Sequence, residues 1–300
     1  MKFPALPLIL FLAIGAAPAP KLPTPGDVVA AAAPAEWQRV DPADLMLIEL
    51  GDGGRVAIAL APAFAPAHVA NIRALIRAHW FDGAAISRVQ DNYVVQWGQS
   101  DDKAPPQDLG KPLPAEYDRA AAGLPLTPLP YRDTFAPKVG YSGAFPVAVD
   151  KGRAWMTHCY GIVGVGRGLA PDTGNGGELY AVIGHSPRHL DRNIALVGRV
   201  LDGFDKMTAL PRGTGALGFY EKPEQRVAIR RVTLAADMPA GVRPAYEWLR
   251  PASASFVQWL HLRANRHDDF FERPAGAVDL CNALPPVRLA KPTPTSAAGG

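Results

Sequence analysis

Apolar residues along the chain come in short runs separated by turn-forming residues, and the spacing within each run predicts its structure. "DLMLIEL" (44–50) and "RVAIAL" (55–60) read as strands, and the "GDGG" between them predicts a β-hairpin. In "APAHVANIRALIRAHW", Pro66 stands where a first helical turn accepts proline. Val69, Ile72, Leu75 and Ile76 then repeat at helical spacing. "YVVQW" (93–97) is the next strand, followed later by "GIVGVG" (161–166), "ELYAVIG" (178–184), "NIALVGRVL" (193–201) and "RVAIRRVTLAA" (226–236). "GFDKMTAL" (203–210) predicts one or two helical turns. Many short strands with few helices point to a closed barrel or a sandwich.

Loss of that periodicity sets the boundaries. Residues 1–19 read as a leader, 20–43 as an Ala- and Pro-rich linker, and 44–236 as the strand-rich domain. Within the domain, 101–153 is rich in proline and polar residues and is expected to be a long insertion or loop region. Residues 237–288 form a C-terminal extension in which Phe256, Trp259, Leu260 and Leu262 predict a helix starting near the Ser253–Ser255 caps. Residues 289–300 are expected to be a disordered tail.

Composition narrows the class. The chain has 300 residues, 48% hydrophobic and 20% charged, enough for a sizeable core. Its 31 Lys and Arg against 28 Asp and Glu give a net charge of +3 without a dense basic run, so no nucleic-acid partner is expected. "MKFPALPLILFLAIGAAPAP" has one Lys, a short apolar stretch and then small residues, the pattern of a secretory signal. Export to the periplasm or medium is therefore expected, with no stable membrane span after cleavage. The alternative is an uncleaved N-terminal anchor. In an exported chain Cys159 and Cys281 can bridge, and two buried thiols are the other reading. Neither has a second Cys or a His at zinc-ligand spacing.

The order hairpin, Pro-led helix, then "FDG" (81–83), "ISRV" (86–89) and "YVVQWG" (93–98) resembles the cyclophilin family of peptidyl-prolyl isomerases. The second half is similar too, through "GIVGVGR" (161–167), "GNGGELYAVIG" (174–184) and "HLDRNIALVGRVLDGFDKM" (189–207). The resemblance covers roughly residues 44 to 235 outside the insertion. It implies a mainly β fold: a closed eight-stranded antiparallel barrel with capping helices, here carrying the insertion and the C-terminal helical extension. It also implies an outer groove for proline-containing polypeptides, and no metal or cofactor.

By the same resemblance Arg88 is the catalytic cation, and Tyr93, Val94, Gln96, Gly166, Arg167, Glu178, Tyr180, His189, Leu190 and Ile194 line the substrate groove. Several depart from the family pattern, which usually has Phe and Met at 93 and 94, Gln at 178, Phe at 180 and an aromatic at 189. Tyr180 brings a hydroxyl that needs a partner if buried. Glu178 is expected to pair with Arg88, competing for its donors or orienting its fork. The leading expectation is a monomeric isomerase that assists folding of exported proteins. A catalytically weak binding module on the same fold is the alternative, and a structural part of a secretion complex a third. "GIVGVGRG" lacks the strand-to-helix context of a nucleotide loop. "HSPRH" reads as a loop rather than a metal site, and His158 beside Cys159 as packing.

Overall fold

The computed structural model describes residues 22–100, 102–268 and 270–290. The segment read as a linker is not one. Thr24 caps a helix, α1 (Pro25–Ala31), by accepting from Asp27 N, and a short strand, β1 (Trp37–Arg39), follows. Val28, Ala32 and Trp37 are buried, so small residues here serve close packing rather than flexibility. The leader pattern lies outside the described residues.

The predicted hairpin is β2 (Leu45–Leu50) and β3 (Arg55–Leu60). Its turn is set by Asp52, which accepts from Gly54 N at 2.8 Å, and by Gly53 at φ +86°. Next come α2 (Pro66–Arg77), β4 (Ala85–Val89) and β5 (Val94–Gly98). The first turn of α2 has no side-chain cap of its own. The carboxylate of Glu116 accepts from Ala67 N and His68 N at 2.9 and 3.0 Å, satisfying two donors that every helix start leaves open.

The insertion is folded, contrary to its loop-like sequence. It carries β6 (Arg119–Ala120), β7 (Thr127–Pro128), β8 (Lys138–Ser142) and β9 (Phe145–Asp150), and continues into β10 (Arg153–Met156). These form a second sheet in the order β6-β10-β9-β8-β7. Val139, Tyr141, Val147, Ala148, Ala154 and Trp155 belong to one buried cluster with Phe256, Trp259 and Leu260. Consecutive residues of the strands are buried, which erases the alternation that would have announced them.

The barrel resumes with β11 (Ile162–Val165), β12 (Glu178–Val182), β13 (Leu196–Asp202), the short helix α3 (Asp205–Thr208) and β14 (Val227–Leu234). Eight strands close in the order β11-β12-β5-β4-β14-β2-β3-β13, with every pairing antiparallel. Met46, Ile48, Leu50, Val56, Ile58 and Leu60 share the main apolar core with Val69, Ile72, Leu75 and Ile76 of α2.

The C-terminal extension contributes β15 (Tyr246–Leu249), α4 (Ala254–Ala264) and β16 (Val287–Leu289). Strand β15 lies between β1 and β16, so a third sheet joins the two ends of the described chain. The first two residues of the tail expected from 289 are structured, since Leu289 is in a strand and Ala290 N donates to Ala245 O at 2.7 Å, and 291–300 lie outside the described residues. The predicted helix is capped by Ser253, which accepts from Phe256 N at 3.1 Å. Glu36 accepts from Ser255 N and Oγ at 2.9 and 2.7 Å, holding α4 beside α1. Those bonds keep the Glu36 carboxyl below its ordinary pKa.

Tyr246 and Trp248 cover Leu45, Ala57 and Ala59 on the outside of the hairpin, which explains why β3 is buried on both faces. On β13, buried Arg199 donates to the carbonyls of Ala144 and Pro285 at 2.9 and 3.0 Å, and desolvation lowers its pKa to about 10. Cys159 and Cys281 form a disulfide across 122 residues, resolving the two readings of the cysteines in favour of the bridge.

Candidate functional site

The outer face of β4, β5 and β12 carries a cleft of about 170 Å³ lined by Arg88, Tyr93, Val94, Gln96, Val165, Gly166, Arg167, Tyr180, Leu190 and Ile194. Strand pairing aligns three of them. Arg88 sits opposite Gln96, and Gln96 opposite Tyr180, so one line across three strands carries a cation, an amide and a phenol. Tyr180, Val94 and Val182 form a small apolar cluster with Tyr93 and Ile194 packed against it.

Arg88 is half-buried and held on several sides. Its Nε donates to Leu217 O at 2.7 Å, one terminal nitrogen to Gln96 Oε1 at 2.8 Å, and the other to Gln90 Oε1. These take three of the five N–H donors of the guanidinium and leave two. Its Cζ stands 5.7 Å from the Tyr93 ring centroid and 5.2 Å from that of Phe219. Burial lowers its pKa, opposed by Tyr93 and by the charge of Glu178. The group stays a cation, because the starting value is so high.

Glu178 does not occupy the expected place. Gln96 stands between it and Arg88, donating from Nε2 to Glu178 Oε1 at 2.8 Å while its own oxygen accepts from Arg88. The carboxylate therefore sets which way the amide points, and the amide offers Arg88 an acceptor. Glu178 lines a neighbouring, more polar cavity of about 310 Å³ with Lys103, Lys111, Asp172 and Asn175, and the two spaces share Gly166 and Arg167. Arg167 donates to Asn193 O and Gly168 O at the rim. His189 is not brought to the cleft. It lies exposed on the 3-10 turn Arg188–Leu190, whose Leu190 turns inward instead.

Below the cleft lies a network that the residue pattern did not announce. Tyr180 is only 5% exposed, and His158 Nε2 meets its hydroxyl at 3.0 Å. His158, fully buried, turns Nδ1 to Asp191 Oδ1 at 2.9 Å. Asp191 Oδ2 accepts from Arg188 Nε at 2.6 Å, and Arg188 reaches both oxygens of Asp133, between β7 and β8 of the second sheet, at 2.9 and 3.0 Å. Burial raises the Tyr180 pKa, so the phenol stays neutral. His158 thus does more than pack: it is the partner that the Tyr180 hydroxyl requires. The one legible signal for it was that requirement, since the sequence spacing of 158 and 180 says nothing of their meeting.

The chain is similar to known proteins over most of its length. Residues 45–234 match the family described as "Cyclophilin type peptidyl-prolyl cis-trans isomerase/CLD". Relatives from Brucella suis and Brucella melitensis, each named "Probable peptidyl-prolyl cis-trans isomerase", are 27% identical over 198 residues, covering 66% of this chain and 85% of theirs. The crystal structure of cyclophilin AquaCyp293 from Hirschia baltica superposes with a TM-score of 0.67 at 23% identity, covering 90% of this chain and 98% of that one. That coverage exceeds the barrel, so the fold likeness extends into the added elements.

Proposed function

The chain belongs to the cyclophilin-type peptidyl-prolyl cis-trans isomerases, and from that premise we propose that it rotates X-Pro bonds in exported polypeptides with Arg88 as the barrier-lowering group. The X-Pro barrier of about 18–20 kcal/mol comes from amide resonance. Lowering it requires no nucleophile and no proton transfer, only tighter binding of the twisted amide than of either planar form. In the twisted state the prolyl nitrogen regains a lone pair. A cation donating to that nitrogen weakens the resonance.

The observation that carries this reading is the placement of Arg88. It stands at the edge of an apolar cleft, with three donors fixed by Leu217, Gln90 and Gln96 and two left over. Held donors need no reorganisation as the amide twists. The ring of the substrate proline packs among Tyr180, Val94, Leu190 and Ile194. A gain on the order of 10⁵ needs about 7 kcal/mol of selective stabilisation.

Export is supported by the leader-like N-terminus and by the Cys159–Cys281 bridge, which suits an oxidising compartment. There the protein acts as a monomer on secreted or envelope chains whose X-Pro steps are slow. Exchange spectroscopy on an Ala-Pro peptide tests the chemistry. Wild type accelerates cis-trans exchange, and Arg88→Ala loses on the order of 10²-fold or more. Equal, slow exchange with both would sink the isomerase reading and leave a binding module. A mature N-terminus and an intact bridge in protein recovered from the periplasm test the compartment.

A further inference from the structure

The cation has a second wall. Residues 211–220, "PRGTGALGFY", fold back along the end of β4, with Gly213 N donating to Val89 O and Tyr220 N to Ser87 O, both at 2.9 Å. Phe219 bridges Arg88 directly. The loop closes on itself through Gly215 N to Phe219 O at 3.0 Å and Tyr220 Oη to Pro211 O at 2.6 Å. Gly218, at φ +79°, lies so close to β4 that a Cβ there would come within 2.6 Å of Gln90 Cα. Leu217 adopts φ +56°, a left-handed conformation that branched side chains rarely take, while its carbonyl accepts from Arg88.

This tightly tied loop displays apolar side chains. Leu217 is 68% exposed and Phe219 37%, and the Tyr93 and Phe219 ring centroids lie 5.7 and 5.2 Å from the same guanidinium carbon. Single exposed apolar residues are ordinary. Two aromatic rings beside one groove cation, with exposed Leu217 two residues from Phe219 on the same loop, are a patch.

We propose that Leu217, Phe219 and Tyr93 form a specificity subsite that takes a leucine-sized or aromatic side chain next to the substrate proline. The inference rests on the isomerase reading above. Phe219 lies 5.2 Å from the Arg88 carbon. An extended chain advances about 3.3–3.6 Å per residue. A peptide whose prolyl nitrogen faces Arg88 therefore lays its first or second flanking residue on the ledge. The opposite flank runs past Gly166 and Arg167 into the polar cavity with Lys103, Lys111 and Asp172, so the two sides of the proline meet different chemistry. An apolar side chain on the ledge also keeps water from the guanidinium and strengthens its hydrogen bond to the twisted amide.

The test is exchange spectroscopy on Ala-Pro peptides in which one flanking residue at a time, on either side, is Leu, Phe or Asp. On one flank, Leu and Phe raise kcat/KM over Asp on the order of fivefold. The double variant Leu217→Asn, Phe219→Ser erases that ratio; Asn suits the left-handed position and keeps the carbonyl that binds Arg88. Leu217→Asn alone, at a largely exposed position, halves the ratio and serves if the double variant does not fold. No ratio on either flank in wild type, or the same ratio in the variants, overturns the subsite and leaves the isomerase reading standing. If no peptide is accelerated, it is the isomerase reading that fails. The subsite is then judged by the Kd of the same peptides, and equal values for Leu and Asp overturn it.

Discussion

Replacing Tyr180 by Phe removes one oxygen from the floor of the cleft and nothing else. The hydroxyl meets His158 Nε2 at 3.0 Å, and His158 is fully buried with its other nitrogen committed to Asp191. In Tyr180→Phe that fully buried Nε2 loses its hydroxyl partner. Leaving a buried polar group unpaired costs about 1–3 kcal/mol, and complete burial places this case near 2 kcal/mol or above. For a chain of 300 residues that is a fall in Tm of about 3 °C. Urea unfolding under oxidising conditions, with the slope checked for constancy, measures it. His158→Leu, alone and in the Tyr180→Phe background, completes a double-mutant cycle with an expected coupling of about 1–2 kcal/mol. The cleft remains apolar, so kcat/KM on an Ala-Pro peptide changes by less than about threefold. A variant within about 0.5 kcal/mol of wild type, or a cycle additive within the same margin, would refute the claim that His158 holds the Tyr180 hydroxyl.

Glu178→Gln keeps an acceptor for Gln96 Nε2 while removing the charge that Arg88 feels, so turnover should rise about twofold to tenfold; equal or lower turnover in the exchange assay contradicts this. Glu36 is more acidic folded than unfolded, so its contribution is complete above the ordinary carboxylate value of 4.5 and is lost as pH falls through the lower folded value. Glu36→Gln should therefore be less stable than wild type near pH 7, with the gap closing below about pH 4 in a series of unfolding midpoints. Cys281→Ser opens a 122-residue loop and should cost about 3–5 kcal/mol against the oxidised wild type by the same measurement.

The barrel was legible because each strand carries its own turn chemistry. Asp52 and Gly53 close the first hairpin, and Pro66 starts the helix after it. The groove positions were legible through the order of the motif blocks, which placed Arg88, Gln96 and Tyr180 in one cleft. The second and third sheets were not, because strands covered on both faces lose alternation, as β8 and β10 do. Side-chain direction was hidden as well. His189 and Leu190 are neighbours in a 3-10 turn, and only the latter points into the cleft. The relay through Gln96 depends on which way an amide is turned, and no residue spacing encodes that.

The third sheet has a consequence for the order in which the protein is made. Strand β15 joins β1 near one end of the described chain to β16 near the other, and Pro285 accepts from an arginine on β13. A polypeptide emerging N-terminus first, from a ribosome or a translocation pore, has all eight barrel strands available by Leu234. Yet the strand partner of Trp37 arrives only with Leu249, the cover of Leu45 and Ala59 only with Tyr246 and Trp248, and the partner of Cys159 only at Cys281. Synthesis halted after the barrel would leave those surfaces bare and sticky. Maturation is thus a closing latch thrown last, and a shortened chain ending near residue 236 should aggregate rather than persist as a small barrel.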